Sequence, residues 1–222
     1  ASQQTDHANT SSLKTLYLGS DIADDDCVEQ LLQWENLGFV SFTEEKDICA
    51  VTAELLAADA VIGWVQGRSE FGPRALGNRS ILADPRPAEN KHRINAIVKK
   101  RDDFRPFAPA VLEEVVNVYF ELPSYIERLP YMTTTVQCTP HGAATLGATT
   151  HVDNTARIQT VSKSDNPLFW SLINAFGHLT QVPVLLNTSF NNNKEPIVNN
   201  TMDALMAFLT TRLDHCVIGN YL

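Results

Sequence analysis

Apolar positions along the chain follow two rhythms. Ile48, Val51, Thr52, Leu55 and Leu56 return at helical spacing and predict a helix over 47–59. Behind Pro167, a residue suited to a first turn, Phe169, Trp170, Leu172, Ile173 and Phe176 predict a second over 166–180. Shorter helical patterns cover 88–98, 112–120 and 203–211, and Ser20 is placed to cap one carrying Cys27, Val28, Leu31 and Leu32. Between them lie short apolar or alternating runs at 16–18, 61–65, 81–83, 131–138, 155–161, 182–186 and 215–219, which read as strands. Residues 139–151 are small and irregular and read as a loop. Helices alternating with strands from end to end predict a single α/β domain, with helices packed against a twisted sheet.

Composition narrows the class. The chain has 222 residues, enough for a well-buried core, and no run approaches the 18 apolar residues of a membrane span. Residues 1–14 are polar, with neither a basic nor an apolar stretch of a secretion signal, and read as a linker or disordered lead-in to a domain over 15–222. Cys27, Cys49, Cys138 and Cys216 form no CxxC pair, which fits idle thiols in a reducing cytoplasm. The six histidines show no metal-binding spacing, although Mg²⁺ arriving with a nucleotide needs none.

Charge singles out one stretch. Between Arg68 and Arg105 lie 10 of the 17 Lys and Arg residues and 5 of the 26 acids, so the segment is +5 in a chain of −9. Gly67, Gly72, Pro73 and Gly77 among Arg68, Arg74 and Arg79 mark loop backbone able to approach a ligand closely. A recessed cationic cluster in an acidic protein suits a small, highly charged anion better than a nucleic-acid backbone. The alternative is a surface loop whose arginines pair with nearby acids. No GK[ST] follows the glycines, so this is not a P-loop. If residues 99–105 are extended, Lys99 and Arg101 point the same way, unless Asp102 and Asp103 neutralise them. Ser189 and Asn191 share a face by the same period, and Arg157 is either a rim charge or a ligand contact.

The blocks GRSEFGPRALGNRSILADPR, VKKRDDFRPFAPAVL, THVDNTARIQTV, VPVLLNTSFNNNKEPIV and LDHCVIGNYL together resemble the C-terminal domain of the NodU/CmcH-type O-carbamoyltransferases. The resemblance implies a YrdC-like fold, a twisted mixed sheet flanked by helices. It also implies a larger N-terminal partner domain of the ASKHA fold, which would hold iron and perform the transfer. Lys99-x-Arg101 and Ser189-x-Asn191 supply the KxR and SxN pairs by which YrdC-like nucleotide sites are recognised. Asn154 stands where the family usually has the Gly of DGTAR, and Lys194 where it has the Gly of GEP. Asn tolerates left-handed backbone, so the first turn is expected to survive.

The implied reaction forms carbamoyl adenylate from ATP and carbamoyl phosphate, releasing pyrophosphate and phosphate. Lys99, Arg101 and Arg105 are expected on the triphosphate, Arg157 near the α-phosphate, and Arg74 and Arg79 on carbamoyl phosphate or its product. Ser189 and Asn191 would offer short polar groups to phosphate or ribose. Two rivals stand beside this reading: a non-catalytic nucleotide or RNA-binding module, and a threonylcarbamoyl-adenylate-type synthase. The FGPRALGNRS block resembles the O-carbamoyltransferases rather than the latter group.

Overall fold

The computed structural model describes residues 15–22, 27–34, 38–99, 106–192 and 195–222. The first half contributes α1 (Cys27–Leu32), α2 (Glu45–Ala57), β1 (Ile62–Val65), β2 (Arg79–Ala83), α3 (Glu89–Ile94) with a π-helical turn Asn95–Lys99, and β3 (Ala108–Leu112). A 3₁₀ turn Glu113–Val115 leads to α4 (Val116–Tyr119), β4 (Phe120–Glu121), β5 (Thr135–Cys138) and α5 (Pro140–Thr145). Then come β6 (Thr155–Arg157), β7 (Gln159–Val161), α6 (Pro167–Thr180), β8 (Val184–Ser189), α7 (Thr201–Thr210) and β9 (His215–Ile218).

Six strands form one mixed sheet in the order β7-β3-β8-β2-β1-β9, and β4-β5-β6 form a small antiparallel sheet. In the large sheet β3–β7 and β1–β9 run parallel, whereas β1–β2, β2–β8 and β3–β8 run antiparallel. Its central strands read as unbroken apolar runs because both faces are covered. Ile62, Trp64, Leu82, Leu185 and Val217 pack with Leu56 of α2 and Phe169, Leu172 and Phe176 of α6. Val65, Ile81, Leu186 and Ile218 pack on the other face with Ile94 of α3 and Ala204 and Leu205 of α7. Gly63 is a packing requirement in β1: a Cβ there would stand 2.7 Å from the Phe190 ring.

The α/β class and the mixed, helix-flanked sheet match the expectation from sequence. Several elements differ, each for a local reason. Residues 16–18 form no strand; Leu16 O accepts from Phe71 N–H, and the adjoining Gly19 and Ser20 exchange backbone bonds with Ser69. The Ser20 hydroxyl donates to Asn199 Oδ1 at 2.6 Å, and the residues just before α1, where the helix it was expected to cap would begin, lie outside the described residues. The helix expected over 88–98 changes to π geometry at Asn95, with Ile94 and Val98 both buried. Lys99 closes that turn, so an extended segment does not begin there.

Ala108–Leu112 is a fully buried strand that Pro109 concealed. Pairing with β7 begins at Ala110, so Pro109 stands beyond the ladder on that side. The expected loop 139–151 contains α5, capped by the Thr139 hydroxyl on Gly142 N–H at 2.9 Å. Gly142 hid that helix, and the reason is steric: a Cβ would meet Tyr119 O at 2.0 Å. The single strand read over 155–161 is two strands, β6 in the small sheet and β7 in the large one. Finally, β8 runs on to Ser189, three residues past the apolar run 182–186.

Candidate functional site

Residues of both sheets line a cavity of about 310 Å³. Asn187, Thr188 and Ser189 of β8 and Ala108 of β3 come from the large sheet, Thr135 of β5 and Arg157 of β6 from the small one. Pro73, Arg74 and Ala75 from the Gly-rich loop, Pro106, Phe107, Met132 and His151 complete the wall. Its volume is at the lower end of the range for small-molecule sites. The chain reaches this place through the split between β6 and β7, since Arg157 ends one sheet's strand two residues before the other's begins.

A half-buried carboxylate shapes the Gly-rich loop. Glu70 Oε1 accepts from the backbone N–H groups of Leu76, Asn78 and Arg79 at 2.6, 2.8 and 3.2 Å. Gly77 is required twice over: φ is +106°, and a Cβ would lie 2.3 Å from the Phe169 ring. The loop thus held sends its arginines to different fates. Arg74 is exposed at the cavity wall. Arg79 is 0 % exposed and does not line the cavity. Its Nε donates to Asn199 O, its Nη1 to Gln66 O and Asn78 O, and its Nη2 to the carbonyls of Ser20, Gly67 and Asn199, all at 2.7–3.2 Å. The expectation that Arg79 binds substrate is therefore corrected: its fork is spent joining three backbone segments.

Other arginines of the cationic stretch are also structural. Arg86 pairs with Asp84 and lies over the Phe176 ring, and Arg93 bonds Asp214 and Asp59. Arg68 donates to Leu18 O. The stretch is thus largely the paired surface that the sequence left open, with Arg74 at the cavity wall.

Of the expected site residues, the structure brings Arg74, Arg157 and Ser189 to one cavity. Asn191 is one bond removed, its Oδ1 accepting from Ser189 Oγ at 2.7 Å and its Nδ2 donating to Glu195 O. This contact bears out the shared face of the pair. Arg101 and Arg105 lie outside the described residues, as does Lys194, and of Lys99 only the backbone is described. Asn154 has φ +60°, the left-handed turn expected of it.

Asn187 and His151 are among the lining residues not expected from sequence. Asn187 is 1 % exposed, and its Nδ2 donates to Gln159 Oε1 at 2.9 Å. The period-two rule that joined Ser189 to Asn191 also puts Asn187 on the Ser189 side of β8, which was the available signal. His151 Nδ1 lies 3.0 Å from Thr155 Oγ1, and that hydroxyl is 2.7 Å from Asp153 Oδ1. Burial lowers the His151 pKa from its ordinary value, Arg157 and Lys91 lower it further, and Asp153 opposes them. The imidazole is therefore neutral at pH 7. Asp153 is held below the usual carboxylate range by bonds from the Thr155 hydroxyl and backbone N–H.

Among the described residues, two guanidinium side chains and three hydroxyls thus meet in a recess lined by no carboxylate. Such a donor set suits phosphoryl oxygens, which guanidinium forks grip in pairs and hydroxyls complete.

A family model described as "Carbamoyltransferase C-terminus" matches residues 53–222. The nodulation protein NolNO of Sinorhizobium fredii is 57% identical over 211 residues, 95% of this chain and 31% of that protein. NolO of Bradyrhizobium diazoefficiens is 54% identical over 95% of this chain and 38% of its own length. A 3'-hydroxymethylcephem-O-carbamoyltransferase of Amycolatopsis lactamdurans is 40% identical over 74% of this chain and 31% of its own. The chain spans about a third of the length of these relatives. A crystal structure of full-length HypF in its phosphate- and nucleotide-bound form superposes on 78% of this chain and 25% of HypF, with a TM-score of 0.58 and 18% identity, a likeness of fold. The chain belongs to the carbamoyltransferase C-terminal family.

Proposed function

We infer that this chain is the carbamoyl-activating part of an O-carbamoyltransferase, taking ATP and carbamoyl phosphate to carbamoyl adenylate. The observation that carries the reading is the meeting of Arg74, Arg157 and Ser189 in one recess of a carbamoyltransferase-family chain. The balance consumes one water. Cleaving the carbonyl carbon–oxygen bond of carbamoyl phosphate gives carbamate and phosphate; a carbamate oxygen then attacks the α-phosphorus of ATP and pyrophosphate leaves. Such steps need charge neutralisation and alignment more than a covalent nucleophile.

In this proposal Arg74 holds the phosphate of carbamoyl phosphate, Arg157 stabilises charge near the α-phosphate, and Ser189, tied to Asn191, orients an oxygen. Lys99, Arg101 and Arg105 are assigned to the triphosphate by resemblance, with Mg²⁺ accompanying the nucleotide. Transfer to a hydroxyl acceptor is assigned to a further, iron-holding domain, in keeping with relatives about three times as long. A cytoplasmic setting is proposed, and among the described residues no helix is long and apolar enough to cross a membrane.

The test is pyrophosphate release from ATP by the purified chain, with and without carbamoyl phosphate. Release that requires carbamoyl phosphate, with no O-carbamoyl product from any hydroxyl acceptor, is the expected result. Release that requires an amino acid and bicarbonate instead would favour the threonylcarbamoyl-adenylate alternative. Steeply salt-dependent RNA binding without turnover would favour the binding module.

A further inference from the structure

Side chains take the successive backbone N–H groups at the end of the Gly-rich loop. Those of Leu76, Asn78 and Arg79 donate to Glu70 Oε1 at 2.6, 2.8 and 3.2 Å, and that of Gly77 donates to Ser80 Oγ at 3.0 Å. Converging N–H groups of this kind are what Gly-rich loops elsewhere offer to a phosphate. Here the Glu70 carboxylate has the place of that anion, and the main chain over 76–79 has no N–H uncommitted. What the loop brings to the cavity is its tip, where Pro73, Arg74 and Ala75 form one wall.

The tip is closed like a ring. The chain entering it is tied at Ser69, which exchanges backbone bonds with Gly19 and Ser20, and at Phe71, whose N–H donates to Leu16 O at 2.7 Å. The chain leaving it is tied at Leu76 O, which accepts from the Tyr17 hydroxyl and Gln159 Nε2 at 3.0 and 2.8 Å. Glu70 links the two, with its backbone at the entry and its carboxylate on the exit. Between them Gly72 has φ +132°, and among the described residues nothing lies within 4 Å of where its Cβ would stand. Glycine is required there by backbone angle alone, and Pro73 fixes the next angle. Phe71, Gly72, Pro73 and Arg74 are all exposed, so core packing contributes little to holding the tip.

We propose that Glu70 is a positioning residue for Arg74: by the reach of its oxygen rather than by its charge, it sets where the loop tip meets the anion cavity. The inference rests on the function proposed above and names what holds one of its ligand groups in place. A negative charge in the loop that walls an anion site opposes binding, so charge gives no reason for a glutamate at this position. Its bonds to the exit backbone do. A guanidinium fork grips phosphoryl oxygens in a defined geometry, and a misplacement of about 1 Å can forfeit the contact.

The experiment is calorimetric titration of inorganic phosphate into the native chain, Glu70→Gln, Glu70→Asp and Glu70→Ala, each also combined with Arg74→Ala. Gln keeps the length and an acceptor oxygen and loses the charge, whereas Asp keeps the charge and withdraws the oxygen by one methylene. Glu70→Gln is expected to bind within about twofold of the native chain, and Glu70→Asp and Glu70→Ala about tenfold more weakly, the loss expected of Arg74→Ala itself. With Arg74→Ala in place, the Glu70 substitutions should change nothing further, since the group they misplace is gone. Lost backbone bonds lower the Tm of a variant whatever its role, so the pattern of affinities decides. Should Glu70→Ala fail to fold, Gln and Asp still separate reach from charge. Native affinity in Glu70→Asp with altered affinity in Glu70→Gln would show a role of charge and overturn the inference. So would losses that add to that of Arg74→Ala, which mark a general disturbance of the cavity. If the native chain binds no phosphate, the anion site itself fails and the inference falls with it.

Discussion

Arg74 and Arg79 are five residues apart in one loop, in the same company of glycines, yet the fold uses them in opposite ways. Arg79 is sealed in the interior with its fork on backbone carbonyls of three separate segments. Arg74 is exposed at the cavity and makes no ion pair or hydrogen bond among the described residues. The difference lies in what the backbone around each leaves unsatisfied. Glu70 gathers the N–H groups of the loop's second half, and the carbonyls that converge at Gln66, Gly67 and Asn199 need donors that only a long cation supplies. Arginine-rich loops are therefore two things at once, a scaffold and a ligand surface, and residue type does not tell them apart.

The largest expected effect breaks the scaffold side. Arg79→Met should cost about 3 kcal/mol or more, because several buried carbonyls lose their donors together. For a chain of this size that is a fall of roughly 10 °C in Tm by calorimetry. An unchanged Tm would show that the carbonyls find other donors.

Arg157→Ala probes the ligand side. It should slow carbamoyl-phosphate-dependent pyrophosphate release about a hundredfold, equivalent to about 3 kcal/mol, while melting within a few degrees of the native chain. Near-normal turnover with a depressed Tm would make Arg157 a structural residue like Arg79. Arg74→Ala should weaken inorganic phosphate about tenfold with no change in Tm, the reverse of Arg79→Met. The smallest effect is a pH dependence. His151, flanked by Asp153, Arg157 and Lys91, has its pKa lowered from 6.5. It is neutral above that lowered value, and as pH falls through it the ring gains a proton. The added positive charge at the cavity wall should then strengthen anion binding severalfold on acidification, and a His151→Leu chain with the native pH profile would exclude the imidazole from the site.

Much of this was legible in the sequence. Helical spacing located α2, α6 and α7 to within two residues, and the period of two placed Ser189 beside Asn191. What was hidden depended on contacts distant in the chain. Ala108–Leu112 looks like a proline-punctuated loop until β7 and β8 flank it. The division of 155–161 between two sheets leaves no local mark, because β6 and β7 both alternate. Arg79 could not be told from Arg74, since its partners at Ser20 and Asn199 lie 59 and 120 residues away. Metal-binding spacing does not single out His151, whose ring meets the Thr155 hydroxyl that in turn bonds Asp153.

The central claim is that the recess between the two sheets is the phosphate site. A crystal structure of the chain grown with carbamoyl phosphate and a non-hydrolysable ATP analogue tests it most directly. The account predicts phosphoryl density in the cavity, within hydrogen-bond reach of Arg74 or Arg157 and of Ser189. A ligand bound elsewhere on the chain, with that cavity empty at saturating concentration, would contradict it.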